Sequence, residues 1–225
     1  MRRSVRPGVA WSVALSWVLC AGTLAAQEGE AARERWQRVP DVLEALGAAP
    51  GARIADIGAG GGFFTSRLAR AVGAGGRVFA VDVDPGVIRR LEQRAASEQW
   101  SNVAILRSQP DDPTLPEGAL DAALVMNAYH EFTDPAAMLR GLARALKPGG
   151  RLVIVDQVPP PGRLPGRRSQ QERAHELGSW FAVRDVLLAG FRVVRLEDPF
   201  IVREDTPAAD DWWLLVAMLD GGTRR

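Results

Sequence analysis

The stretch Ile54-Ala55-Asp56-Ile57-Gly58-Ala59-Gly60-Gly61-Gly62-Phe63 constrains this chain more than any other. A short apolar run ends in a tight glycine turn and feeds a segment in which Phe64, Leu68, Ala71 and Val72 share one helical face. Glycines at a strand-to-helix turn let the backbone approach a nucleotide-like cofactor without side-chain obstruction. Asp82 stands at the end of the next strand-like run. A carboxylate there can accept hydrogen bonds from both hydroxyls of a ribose. A glycine turn alone is weak evidence, but the flanking strand, helix and distal acid make it strong.

The rest of the chain repeats that rhythm. Apolar runs at Arg53 to Ile57, Arg77 to Val83, Val103 to Leu106, Leu120 to Met126 and Arg151 to Val155 read as strands. Between them, Ile88, Leu91 and Ala95, and then Leu139, Leu142 and Leu146, fall on helical faces. Asp84-Pro85 and Asp134-Pro135 announce two of these helices, the aspartate as cap and the proline in the first turn. Such alternation predicts a parallel sheet with right-handed crossovers. A short helix is expected over Pro40 to Leu46, stopped by Gly47.

The C-terminal third departs from the pattern. Pro159 to Arg168 reads as a loop, followed by a polar segment through His175, a helix over Phe181 to Ala189 and a strand over Phe191 to Leu196. Trp212 to Leu219 is so apolar that it suits a strand covered on both faces, near the middle of a sheet. Trp180, Phe181, Trp212 and Trp213 are expected to build core.

The glycine spacing is Asp56-x-Gly58-x-Gly60-x-Gly62, with Phe63 where a dinucleotide Gly-x-Gly-x-x-Gly turn would place its third glycine. It resembles motif I of the class I S-adenosylmethionine-dependent methyltransferases. Ala80-Val81-Asp82-Val83-Asp84 resembles their second motif, Asp121-Ala122-Ala123-Leu124-Val125-Met126-Asn127 the fourth-strand motif, and Leu146-Lys147-Pro148-Gly149-Gly150-Arg151-Leu152 the turn before strand five. The likeness is greatest to small methyltransferases of the ubiquinone/menaquinone-biosynthesis type, over about residues 36 to 220.

The resemblance implies an α/β, Rossmann-like fold: a seven-stranded, mostly parallel sheet with an antiparallel last strand and helices on both faces. It implies that S-adenosyl-L-methionine is the cofactor. Gly58, Ala59, Gly60 and Gly62 would approach its methionine part by backbone, Asp56 would contact the amino group, Asp82 would hold the ribose and Val83 would pack against adenine. Either Gln109 or Asp111 would meet the adenine amino group, and Asn127 closes the fourth-strand motif beside the cofactor. Two simpler roles stay open: Asp84 as a helix cap, and Asp56 as an inward acid serving only the loop backbone.

Methyl transfer is an in-line displacement, sometimes with removal of a proton from the acceptor. Asn127-Ala128-Tyr129-His130-Glu131-Phe132 follows strand four, and there His130 is the candidate base. The alternative is a structural histidine anchoring the loop. Tyr129, the chain's only tyrosine, is expected over the methionine part or beside the acceptor pocket, with Glu131 orienting His130 and His175 as a weaker candidate. No metal site is expected.

The activity expected is methyl transfer to a small-molecule or protein acceptor. A non-catalytic S-adenosylmethionine-binding module is the alternative, and an NAD-dependent oxidoreductase is disfavoured by Phe63. Arsenic methylation needs several thiolates, whereas Cys20 is the single cysteine. With 28 Lys plus Arg against 27 Asp plus Glu, the chain also lacks the basic excess of a nucleic-acid binder.

Residues 1–26 read as an export signal. Arg2, Arg3 and Arg6 precede an uncharged stretch from Val9 to Ala26, and Thr23-Leu24-Ala25 offers small residues before a cut. Residues 27–52 would then form a helical lead-in and 53–220 the main domain, in the periplasm of a bacterium or secreted. An uncleaved membrane anchor is the rival, and a mis-assigned start codon would leave a cytoplasmic protein. Removing three arginines leaves 25 basic residues against 27 acidic ones, a net charge of −2, and removes Cys20 as well.

Overall fold

The computed structural model describes residues 29–160, 166–203 and 211–220. The proposed leader, Cys20 and part of the Pro159 to Arg168 loop lie outside them. The described residues divide into two compact units between Val39 and Pro40. In the first, α1 covers residues 29–36, and Arg33 Nε donates to Gln37 Oε1 at 2.9 Å.

In chain order there follow α2 (Val39–Leu46), β1 (Arg53–Ile57), α3 (Phe63–Val72), β2 (Arg77–Asp82), α4 (Pro85–Ser97), β3 (Val103–Arg107) and β4 (Leu120–Met126). A single 3-10 turn (Tyr129–Glu131) precedes α5 (Pro135–Ala145), β5 (Leu146–Gln157), α6 (Arg168–Glu172), α7 (Ser179–Leu188), β6 (Phe191–Ile201) and β7 (Trp212–Leu219).

The seven strands form one sheet in the order β3-β2-β1-β4-β5-β7-β6. β1 to β5 pair in parallel, while β7 runs antiparallel to both β5 and β6. Helices flank both faces, as the resemblance implied. The strand order reverses direction between β1 and β4, the place at the carboxyl edge where doubly wound sheets bind their ligands.

The central strands are apolar because both faces are covered. Ile54 and Ala55 of β1, Ala122 to Val125 of β4 and Leu152 to Val155 of β5 are solvent-inaccessible. Each fully buried Leu, Ile or Val contributes roughly 1.5–3 kcal/mol by leaving water. β7 is likewise covered from Trp212 to Ala217, with Trp213 Nε1 donating to the Leu177 carbonyl at 2.5 Å.

Both Asp-Pro helices start as expected. Asp84 accepts from the backbone N–H groups of Gly86 and Val87, and Asp134 from that of Ala137. These bonds hold the Asp84 carboxyl below the usual carboxylate range, against a smaller opposing effect of burial.

Two strands run longer than their apolar cores. β5 begins at Leu146, which pairs with Leu120 across an irregularity, because Lys147 Nζ binds Asp121 at 2.5 Å and pins the Pro-Gly segment to β4. β6 extends to Ile201, which pairs with Trp212. Trp180 is a correction: it is 43% exposed rather than part of the core, whereas Trp212 and Trp213 are buried.

Candidate functional site

The loop after β1 is held in left-handed conformations at three alternate positions, with φ of 71° at Gly58, 53° at Gly60 and 76° at Gly62. Their reasons differ. A Cβ on Gly58 would meet Ala128 Cβ at 2.5 Å, and one on Gly62 would meet Leu91 and Trp100 at 2.9 Å, so these two allow close packing. A Cβ on Gly60 would meet nothing closer than 4.0 Å. Its side of the loop is open.

The N–H groups of Gly58 and Ala59 donate to the Val81 carbonyl, which stitches the loop to β2. Gly60 N–H donates to Asp82 Oδ2 at 3.1 Å, and Asp84 N–H donates to Asp82 Oδ1 at 3.0 Å. Asp82 is therefore fixed at the loop. Beneath it, Asp56 is 2% exposed and accepts from Thr65 Oγ1 of α3 at 2.6 Å. That bond braces the strand-to-helix turn from inside.

Val83 stands 48% exposed beside Asp82, an apolar surface at the rim of the loop. The Ser108 N–H donates to the Asp82 carbonyl, so the turn after β3 follows β2 closely. Gln109 and Asp111 are both exposed in that turn, and Gln109 is tied by its N–H to the Asp112 carbonyl. Asn127 is exposed just past β4 in a left-handed conformation (φ 55°), its N–H bonded to the Val155 carbonyl.

The turn after β4 separates the two expected catalytic candidates. Tyr129 is fully buried, and its hydroxyl donates to Asp185 Oδ2 of α7 at 2.9 Å. Burial first, and then the Asp185 charge, push its pKa upward. It is a core anchor instead of a group over the cofactor. Asp185 also binds Arg168 and Arg184. Burial opposes its ionisation, but these hydrogen bonds outweigh burial and hold its carboxyl below the ordinary value.

His130 is 4% exposed, and Asp156 at the end of β5 grips it twice. Asp156 Oδ2 accepts from the His130 N–H at 2.9 Å, and Oδ1 lies 2.8 Å from Nδ1. Nε2 then faces Nδ1 of His175 at 3.3 Å and Oε1 of Glu131 at 3.7 Å. Burial opposes protonation, but the hydrogen bonds that the ring donates to the carboxylates of Asp156 and Glu131 raise the His130 pKa to about 9. The ring is thus predominantly imidazolium at neutral pH in the absence of another ligand.

Asp156 escaped the sequence reading, although its signal matched that of Asp82. Both are acids ending an apolar strand at the sheet's carboxyl edge.

Residues 55–154 match the family model described as "Methyltransferase domain". Nocamycin O-methyltransferase of Saccharothrix syringae is 30% identical over 120 residues, 53% of this chain and 43% of that protein. Ubiquinone/menaquinone biosynthesis C-methyltransferase UbiE of Vibrio cholerae is 30% identical over 122 residues, 54% of this chain and 46% of that one. The chain thus spans less than half the length of these relatives. A SAM-dependent methyltransferase from Aquifex aeolicus superposes with a TM-score of 0.65 at 24% identity, covering 80% of this chain and 88% of that structure.

Proposed function

We propose that this chain is a class I S-adenosylmethionine-dependent methyltransferase domain, related to the small enzymes of the ubiquinone/menaquinone-biosynthesis type, and that it transfers a methyl group to a small-molecule acceptor. The observation that carries the reading is Gly60: left-handed, open on its outer side and hydrogen-bonded to Asp82. A loop of this shape admits backbone contact with a ligand that any side chain would obstruct.

Bound S-adenosylmethionine supplies an activated methyl group on a sulfonium. The backbone of Gly58, Ala59, Gly60 and Gly62 lines its methionine part, Asp82 accepts from the ribose and Val83 covers an adenine face. Gln109 or Asp111 answers the adenine amino group, and Asn127 borders the site from β4. Asp56, enclosed and bonded to Thr65, acts through the loop by holding its shape. His130 presents only Nε2 for exchange, because Asp156 occupies Nδ1.

Calorimetry with S-adenosylhomocysteine tests the reading. Full-length protein should bind it, and Asp82→Ala should weaken binding at least tenfold. Absence of binding by folded wild-type protein overturns it. Binding without turnover across a broad acceptor panel would instead support the non-catalytic module.

Export belongs to the same proposal and rests on the leader's composition alone. It assigns residues 1–26 to targeting and the remainder to a compartment outside the cytosol.

A further inference from the structure

His130, Glu131 and His175 converge although 45 positions separate the two histidines. The cofactor reading does not use them as a group. Nε2 of His130 and Nδ1 of His175 lie 3.3 Å apart, and Glu131 Oε1 lies 3.7 Å from the first and 3.8 Å from the second. A tetrahedral ion with imidazole nitrogens at about 2.0–2.1 Å sets neighbouring donors roughly 3.3 Å apart. The His–His edge already has that length. The Glu131 edges exceed it by a few tenths of an ångström, within reach of a side chain that is 63% exposed.

The support behind the cluster is also that of a metal ligand. Asp156, fully buried, fixes His130 through Nδ1 and its backbone, leaving Nε2 as the outward donor. A carboxylate behind a ligating histidine orients the ring and raises its basicity. His175 occupies a left-handed conformation (φ 57°) in the turn after α6, and its ring stands at 90° to that of His130. Without an ion the same three groups form an imidazole–imidazole hydrogen bond with Glu131 as counter-charge, and it is the near-tetrahedral spacing of their donor atoms that suits them to an ion as well.

We propose that His130, Glu131 and His175 form a three-ligand site for a divalent first-row transition ion of the zinc type. Two imidazoles and a carboxylate suit Zn²⁺, Co²⁺ or Fe²⁺. Because Glu131 and His175 are exposed, the remaining coordination position opens to solvent and takes water or an acceptor oxygen. His130 is then a ligand, and the base role expected for it passes to the ion, which lowers the pKa of an oxygen bound to it. The site stands on side-chain geometry and holds independently of methyl transfer.

The test uses full-length protein without an affinity tag, stripped by a chelator. Co²⁺ should bind at one equivalent, with visible absorption bands of a low-coordinate site, and Zn²⁺ should displace it. His175→Ala and Glu131→Gln, both at exposed positions, should each weaken Zn²⁺ binding at least tenfold. Asp156→Asn should weaken it about 10–100-fold by releasing the ring. S-adenosylhomocysteine binding, measured on the same samples, reports folding and reads the cofactor reading separately. Zn²⁺ binding by wild type no tighter than by His175→Ala, or cobalt bands unchanged by both substitutions, overturns the proposal.

Discussion

Asp156 accepts from both the backbone and the ring of His130, at 2.9 and 2.8 Å, across the gap between β5 and the turn after β4. Both side chains are buried, so removing the charge of one leaves the other poorly compensated. Asp156→Asn keeps the volume but loses the carboxylate. Metal-free protein carrying it should be less stable by about 3 kcal/mol in urea denaturation, the low end for a broken buried pair. An unchanged midpoint would show that the pair does not form.

The Tyr129–Asp185–Arg168 group should make stability sensitive to acid. The folded-state pKa of Asp185 is depressed, so its contribution is complete above the unfolded value of about 3.9 and is lost as pH falls through the lower folded value. Asp185→Asn should therefore be less stable than wild type at pH 5–7, and the gap should close progressively below about pH 4. Thermal unfolding of both proteins across that range checks the sign. A gap that widens on acidification would contradict it.

The sheet was legible because covered strands are written as apolar runs. β1, β4 and β7 begin and end where their runs do. β5 and β6 outrun the apolar runs that announce them, because pairing with β4 and β7 carries the strands past Pro148 and Pro199. The loop glycines and Asp82 were legible through local spacing. Tyr129 is expected beside the cofactor or the acceptor only from its place after β4, whereas its hydroxyl is satisfied by Asp185, 56 residues away. The approach of His175 to His130 likewise has no local signal, since the turn after α6 alone creates it.

The leader makes a prediction about the native protein. Its three arginines and uncharged stretch should direct export, with cleavage leaving Ala26 or Gln27 first. N-terminal mass spectrometry on fractionated cells checks this. An intact Met1 in the cytosol would overturn it, and an intact Met1 in the membrane fraction would favour the anchor.

Gly58 and Gly60 should respond differently to the same added methyl group. Both are left-handed, so alanine costs roughly 1–2 kcal/mol of backbone strain at either. At Gly58 the new Cβ also meets Ala128 at 2.5 Å, and overpacking adds about 1–3 kcal/mol. At Gly60 nothing in the protein lies within ordinary contact, so the methyl group enters the space assigned to the cofactor. Gly58→Ala should lower the unfolding midpoint more, whereas Gly60→Ala should lose S-adenosylhomocysteine affinity out of proportion to its smaller loss of stability. Denaturation and calorimetry on the same two variants separate these effects. Equal loss of affinity per unit of lost stability at the two positions would mean that Gly60 shapes the loop and does not face the ligand.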